Sequence, residues 1–351
     1  MQCVCASCGF TDQQFKALLA NVEARCAADA QQDELLRGMR ISVTIDDLFL
    51  WKGLPWAEGY TPASVAAELI RAFDSAGLRD VYAFSATAPA VEQPSLFGVF
   101  DDWVEAGHRI ANHTHSHANL YWVSADNYIR DIERGERDIA RWTRPDDGRY
   151  FRYAMDGWGN TPDKYETVQR FLADSRYRVA PISAWFYDTE FIAPHLRYTR
   201  CGDAQALRII RDAYVQTAIN QLRHHARLAR QHAGRVPPLI FLMHATPLAE
   251  DCARRLFERL LALGVEFITL DEAMKDPFNH DDPQVVTNHF YNHAQKWAAQ
   301  RGDVLDDCPP AVLAPLEQLH PASGPTTSEI MSGVFRAIAE SAGGHFFPKR
   351  Y

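Results

Sequence analysis

The chain has 351 residues, 47% of them hydrophobic, with 45 acidic against 36 basic residues and a formal net charge of -9. That length supports one large domain with a full core, or two smaller ones. No basic tract interleaves with aromatics, so nucleic acid is not an expected partner, and the longest apolar runs fall far short of a membrane span.

The stretch Met1 to Phe10 lacks the basic start and apolar core of a secretory signal, so a cytoplasmic location is expected. A misplaced start, or a signal already removed, would make the protein an exported one. Seven cysteines rule out a complete disulfide framework. Cys3, Cys5 and Cys8 lie close together, but the nearest other thiol, Cys26, falls in a predicted helix. A solvated terminus is therefore the reading for them, and buried free thiols are expected for Cys201, Cys252 and Cys308.

Residues 1–39 read as an N-terminal helical segment, with Phe15, Leu18, Leu19 and Val22 at helical spacing. A strand–helix alternation then begins. Ile41 to Ile45 is a strand, and Thr61-Pro62 opens a helix that runs to Gly77. Val81 to Phe84 is a strand, Ser95 to Ala106 a helix ended by Gly107, and Arg109 to Asn112 a short strand. Ser124 opens a helix to about Trp142. Arg149 to Tyr153 is extended, and Thr161-Pro162 caps a helix ending near Ser175. Tyr177 to Ala180 is a strand, with Trp185-Phe186-Tyr187 its continuation or the next one. A long charged helix spans Asp203 to His232. After Pro237-Pro238 come the strand Leu239 to Met243, a helix from about Glu250 to Leu263, the strand Val265 to Ile268 and a turn at Asp271 to Met274. Residues 277–351 break the pattern and read as an extension wrapping the domain. They hold an aromatic and His-rich helical segment from His289 to Trp297, a Pro-rich stretch from Pro309 to Pro325, and a short helix capped by Thr327 or Ser328 that stops at Gly343-Gly344.

Strands alternating with helices of this length predict a parallel sheet. Six or seven such units over residues 40–276 fit a barrel better than a short open sheet, and either architecture puts the chemistry at strand C-terminal ends. The polar residues that stand at those ends are Asp46, Asp47, His113, His117, Arg152 and His244.

Asp47, His113 and His117 supply one carboxylate and two imidazoles, a set that suits zinc and also cobalt, nickel or manganese, with an open position for water. Adjacent carboxylates in an extended backbone diverge, so one of the Asp46-Asp47 pair can bind the ion while the other faces the water beside it as general base. His244 ends an apolar strand and is placed to donate a proton to a leaving group. Asp188 is a candidate to hydrogen-bond His244 and raise its pKa, and Arg152 to pin Asp46 by a bidentate pair. Trp51, Trp56, Trp122, Trp158 and Trp185 follow predicted strands, where aromatics can stack on sugar rings or simply pack.

These motifs resemble those of the polysaccharide deacetylases of the NodB-homology type, carbohydrate esterase family 4. Thr44-Ile45-Asp46-Asp47 is similar to the family's Thr-Phe-Asp-Asp, and Gly107 to His117 to its Gly-His-x-Ile-x-Asn lead into His-Ser/Thr-x-x-His. Phe151-Arg152 matches the start of the third motif, and Leu242-Met243-His244 the end of the fifth. The resemblance spans about residues 40–276 and implies a distorted (β/α) barrel of about seven parallel strands. It also implies Asp46 as base, Asp47, His113 and His117 as metal ligands, Arg152 as the residue orienting the base and His244 as acid. The chain departs from the family at Leu48, which replaces the usual Gly. It departs again at Arg152 to Gly157, and at Trp185 to Asp188, where the fourth motif survives only loosely. These positions lie in loops that shape the groove. The expected activity is metal-dependent removal of N-linked or O-linked acetyl groups from a carbohydrate or related small amide. The alternatives are a hydrolase of a non-sugar amide or cyclic ureide, and a non-catalytic carbohydrate-binding relative.

Overall fold

The structure, a computed structural model, describes residues 33–143, 149–303, 305, 316–317 and 324–348. Most of the expected N-terminal helix, with Cys3, Cys5 and Cys8, lies outside the described residues, as does most of the Pro-rich stretch.

Seven parallel strands form one curled sheet in the order β5-β4-β3-β2-β1-β6, with β7 paired to β1. They are β1 (Arg40–Asp46), β2 (Tyr82–Ser85), β3 (Arg109–Asn112), β4 (Tyr150–Phe151), β5 (Arg178–Val179), β6 (Leu239–His244) and β7 (Glu266–Phe267). The segment after β5 brings the two edges together. Ala180 N–H donates to Phe151 O on one side (2.8 Å), whereas Ser183 N–H donates to Ile240 O and Leu242 N–H to Ala184 O on the other (3.0 and 2.9 Å). A distorted (β/α) barrel results. The partner of β6 is Ala184, so Trp185-Phe186-Tyr187 is not the strand expected there; Tyr187 turns into the left-handed region (φ 57°) and ends pairing.

Side chains alternate along each strand. Ile41, Val43 and Ile45 of β1 and Leu239, Phe241 and Met243 of β6 face the surrounding helices in the main core. The intervening positions face the barrel interior, where Ile240, Phe84, Ala111 and Tyr150 pack together. Asp46 and His244 belong to this inward set, and the register pairs them directly.

The helices start and stop where local chemistry dictates. Helix α1 (Pro62–Ala76) opens on a capping box between Thr61 and Ser64, carries Pro at its first position and ends on Gly77 at φ 75°. Short α2 (Ala88–Glu92) and α3 (Phe97–Glu105) follow β2. Helix α4 (Ala125–Ile139) is capped by Ser124, and α5 (Pro162–Asp174) by Thr161. Helix α6 (Ile192–Cys201), not foreseen in the sequence, precedes the long α7 (Ala204–Ala233), which Asp203 caps. Thr246 caps α8 (Pro247–Ala262); α9 (Leu270–Ala273) and α10 (Pro277–His280) are single turns. In the extension α11 is His293–Gln300, so His289 to Asn292 are not helical, and α12 is Thr327–Ser341. The cap of α12 is Thr326 rather than Thr327 or Ser328, because Thr326 and Glu329 form a capping box. Cys252 is buried and Cys201 only partly so; both are free. No helix among the described residues is long and apolar enough to cross a membrane.

Candidate active site

Seven side chains singled out in the sequence converge at the C-terminal mouth of the barrel. Asp47 does not continue the strand. Its backbone is left-handed, at φ 53°, and its N–H donates to Phe84 O across β2 (2.8 Å). The two carboxylates therefore do not diverge as an extended backbone would make them. Asp46 Oδ2 lies 3.6 Å and Asp47 Oδ2 3.9 Å from His113 Nε2. Asp47 Oδ2 is also 3.1 Å from His117 Nε2. Trp51 Nε1–H donates to Asp47 Oδ2 (2.8 Å) and Ala86 N–H to Oδ1 (3.2 Å), which fixes the carboxylate in place.

The histidine loop is held from α4. Asn112 Oδ1 accepts from Thr114 N–H (2.8 Å) and Thr114 Oγ1 from His117 N–H (3.0 Å). Thr114 and His117 take positive φ, 67° and 64°. Asp131 accepts from Ser116 N–H and Oγ–H, and Asp138 bonds His115 Nδ1 at 2.8 Å. His115 is thereby turned to Asp138, while His113 and His117 stand with ring centroids 5.0 Å apart. Asp131, Asp138 and Gly135 of α4 carry no motif, and sequence reasoning missed them; their only signal is helical spacing on one face.

His113 Nδ1–H donates to Arg152 O at 2.8 Å. A carbonyl only accepts, so the proton sits on Nδ1 and the Nε2 lone pair faces the carboxylates. That Nε2 is buried without a hydrogen-bond partner. Asp47, His113 and His117 form the three-residue group, all buried, whose ligand atoms lie within 4.8 Å of one another. An orphaned imidazole nitrogen, a second imidazole and a carboxylate, each closed to water, fit a divalent ion. Burial pushes the His113 imidazole below its ordinary value, against the pull of Asp46 and Asp47, which keeps it a neutral donor. Burial works to raise Asp47, but the adjacent His117 and His113 outweigh it and hold the carboxyl below the usual range.

Arg152, fully buried, crosses the barrel interior. It lies with its guanidinium 4.0 Å above the Phe84 ring, donates from Nη1 to Asp46 Oδ1 (2.6 Å) and Thr44 Oγ1 (2.8 Å), and from Nε to Ala180 O (3.1 Å). The pair with Asp46 is thus a single bond from Nη1 rather than the bidentate one expected; Nη1 also serves Thr44 and Nε serves Ala180, while Nη2 is buried without a hydrogen-bond partner among the described residues. His244 donates from Nδ1 to Asp188 Oδ1 (2.9 Å) and from its backbone N–H to Asp188 Oδ2 (2.6 Å). Burial opposes charge on His244, but the Asp188 carboxylate prevails and lifts its pKa above the ordinary value.

Asp46, His113, His117, Asp188 and His244 line one pocket with Trp51, Met155, Ile182, Trp185, Tyr187, Phe290 and Phe335. Of the five tryptophans noted in the sequence, only Trp51 and Trp185 reach it. Trp122 and Trp158 are buried in the packing beside it, and Trp56 bridges two hydrophobic clusters.

The matching family model, described as Polysaccharide deacetylase, covers residues 40–169. The matched segment runs from β1 through most of α5 and is similar to that family. No curated protein matches the chain. The solved structures to which the chain is similar are distant. A CE4 family pseudoenzyme from Bacillus anthracis is 14% identical, with TM-score 0.45 over 68% of this chain and 66% of that one. A family 4 carbohydrate esterase from Streptomyces lividans is 19% identical, with TM-score 0.41 over 67% and 95%. PdaA of Bacillus subtilis, also a family 4 carbohydrate esterase, is 18% identical, with TM-score 0.45 over 68% and 81%.

Proposed function

We propose that the protein is a metal-dependent hydrolase that removes an acetyl group from the nitrogen, or oxygen, of a carbohydrate or related small amide. The observation that carries this reading is the convergence of Asp47, His113 and His117 in one pocket, with Asp46 and His244 paired across β1 and β6 beside them. Asp47, His113 and His117 would hold the ion, zinc by donor type, with cobalt, nickel or manganese also suited. A divalent ion held there supplies Lewis acidity to the acetyl carbonyl and lowers the pKa of water.

The protein's own groups move the protons. Asp46, held by Arg152, accepts a proton from the attacking water as its oxygen bonds to the acetyl carbon. His244, kept protonated by Asp188, passes its Nε2 proton to the departing nitrogen as the carbon–nitrogen bond breaks. Water and amide become acetate and amine, and the proton on Asp46 restores His244 or leaves to solvent. The test is acetate release from N-acetyl sugars and acetylated small molecules before and after chelation. Activity should vanish on chelation and return with Zn2+ or Co2+; full activity in the chelated protein would refute the reading.

A further inference from the structure

We propose that this pocket, on the hydrolase reading above, takes a compact, uncharged acyl compound of a single unit rather than the interior of a polymer chain. A polymer reaching a reacting acetyl group needs a groove open on both sides. Here the pocket is walled by Trp51, Met155, Trp185, Tyr187, Phe290 and Phe335, which come from the loops after three strands and from the C-terminal part of the chain. Asp46, His113 and His117 are 2%, 1% and 2% exposed.

The C-terminal wall is fixed in place. The Phe335 ring on α12 sits 5.1 Å from Trp51 and nearly parallel to His117, at 6.3 Å and 17°. Phe290 packs 5.2 Å from Tyr121. Past α12 the backbone is clamped to the loop after β3. His345 N–H donates to Trp122 O (2.9 Å), and Trp122 Nε1–H donates to Phe347 O (3.2 Å). The approach is so close that a Cβ on Gly344 would lie 2.2 Å from Trp122 O.

The pocket chemistry sets the charge of the occupant. Among the described residues that line it, none is Lys or Arg; its only ionisable groups besides the Tyr187 phenol are Asp46, Asp188 and the three imidazoles. The ion and the His244 imidazolium of the hydrolase reading are engaged by the reacting acyl group, so a further phosphate or carboxylate on the substrate would meet only apolar walls and no Lys or Arg, which favour an otherwise neutral acyl compound.

The test compares kcat/KM of the zinc-loaded protein for N-acetylglucosamine and 4-nitroacetanilide with that for chitopentaose. A second readout uses tryptophan fluorescence, since Trp51 and Trp185 line the site. There Asp46→Asn protein is titrated with the same compounds and with N-acetylglucosamine 6-phosphate. The better single-unit substrate should exceed chitopentaose by at least 100-fold. That ratio should fall at least tenfold in Phe335→Ala and in Phe290→Ala, each with a cooperative melt. The phosphate ester should bind at least tenfold more weakly than its parent. Chitopentaose turned over or bound as well as the single units would overturn the size limit, as would an unchanged ratio in both variants. Equal binding of the phosphate ester would overturn the charge limit, and no binding of any small amide would overturn the inference itself. If wild type hydrolyses none of them, the hydrolase reading falls, while the fluorescence arm still decides the size of the occupant.

Discussion

Two carboxylates adjacent in sequence have opposite surroundings, in keeping with the different work proposed for them. Asp47 is fixed by Trp51 and Ala86 and faces two imidazoles; Asp46 is held by one Arg152 bond and faces the pocket. Asp46→Asn should lower turnover by about 100-fold or more, the scale of a general base, yet retain metal by elemental analysis. His117→Ala should lose both. Wild-type turnover in Asp46→Asn would remove it from the mechanism. His244 offers a second check through pH. Its pKa is raised chiefly by Asp188 against burial, so the acid form persists until the pH climbs through that raised value. Activity should fall on the alkaline side there, and Asp188→Asn should move this limb to lower pH. A pH–rate profile with an unmoved alkaline limb would dissociate Asp188 from the acid.

At the level of elements, the histidine loop depends on a helix that carries none of the chemistry. Gly135 of α4 passes so close to that loop that a Cβ would lie 2.8 Å from Thr114 C and 2.9 Å from its O. Backbone cannot yield as a flexible side chain does. Gly135→Ala should therefore cost about 1–3 kcal/mol, seen as a lower Tm, and should weaken zinc retention by shifting His113 and His117. A variant with unchanged Tm and one zinc per chain would show that the loop tolerates the shift. Lys296 of α11 acts similarly on the loop after β4. Its buried ammonium donates to Asp156 Oδ2 (2.9 Å) and Asp156 O (2.6 Å) and lies 4.3 Å from the centre of the Trp158 ring. The extension thus holds the turn at Met155 and Asp156, both at positive φ, one of which lines the pocket.

Across the whole molecule, buried neutral histidines set the acid limit of stability. Burial lowers His225 and His293, between α7 and α11, to about 3, and His108 to about 4, from 6.5. Between those values the unfolded chain binds protons that the folded chain refuses. Stability from these groups is complete above pH 6.5 and is lost as pH falls below it, at about 1.4 kcal/mol per pH unit for each histidine. Thermal melts should show Tm dropping from pH 7 to pH 5. Replacing His225 by Gln should flatten that slope, and an identical slope would absolve His225.

The alternation of apolar runs with capped helices made the barrel legible in the sequence, because Thr61, Ser124 and Thr161 satisfy helix termini through neighbours three residues away; the cap at Thr246, by contrast, was not read, and its helix begins at Pro247 rather than near Glu250. The residue types of the site were equally readable, since Asp46, Asp47, His113, His117 and His244 stand at strand exits. Tertiary structure alone decided the rest. The left-handed turn at Asp47, the reach of Arg152 through the barrel to a single Asp46 oxygen, and the placing of Phe290 and Phe335 against the pocket all join residues distant in sequence. No local spacing encodes them, because packing and long-range hydrogen bonds select one arrangement among many that the same residues would allow.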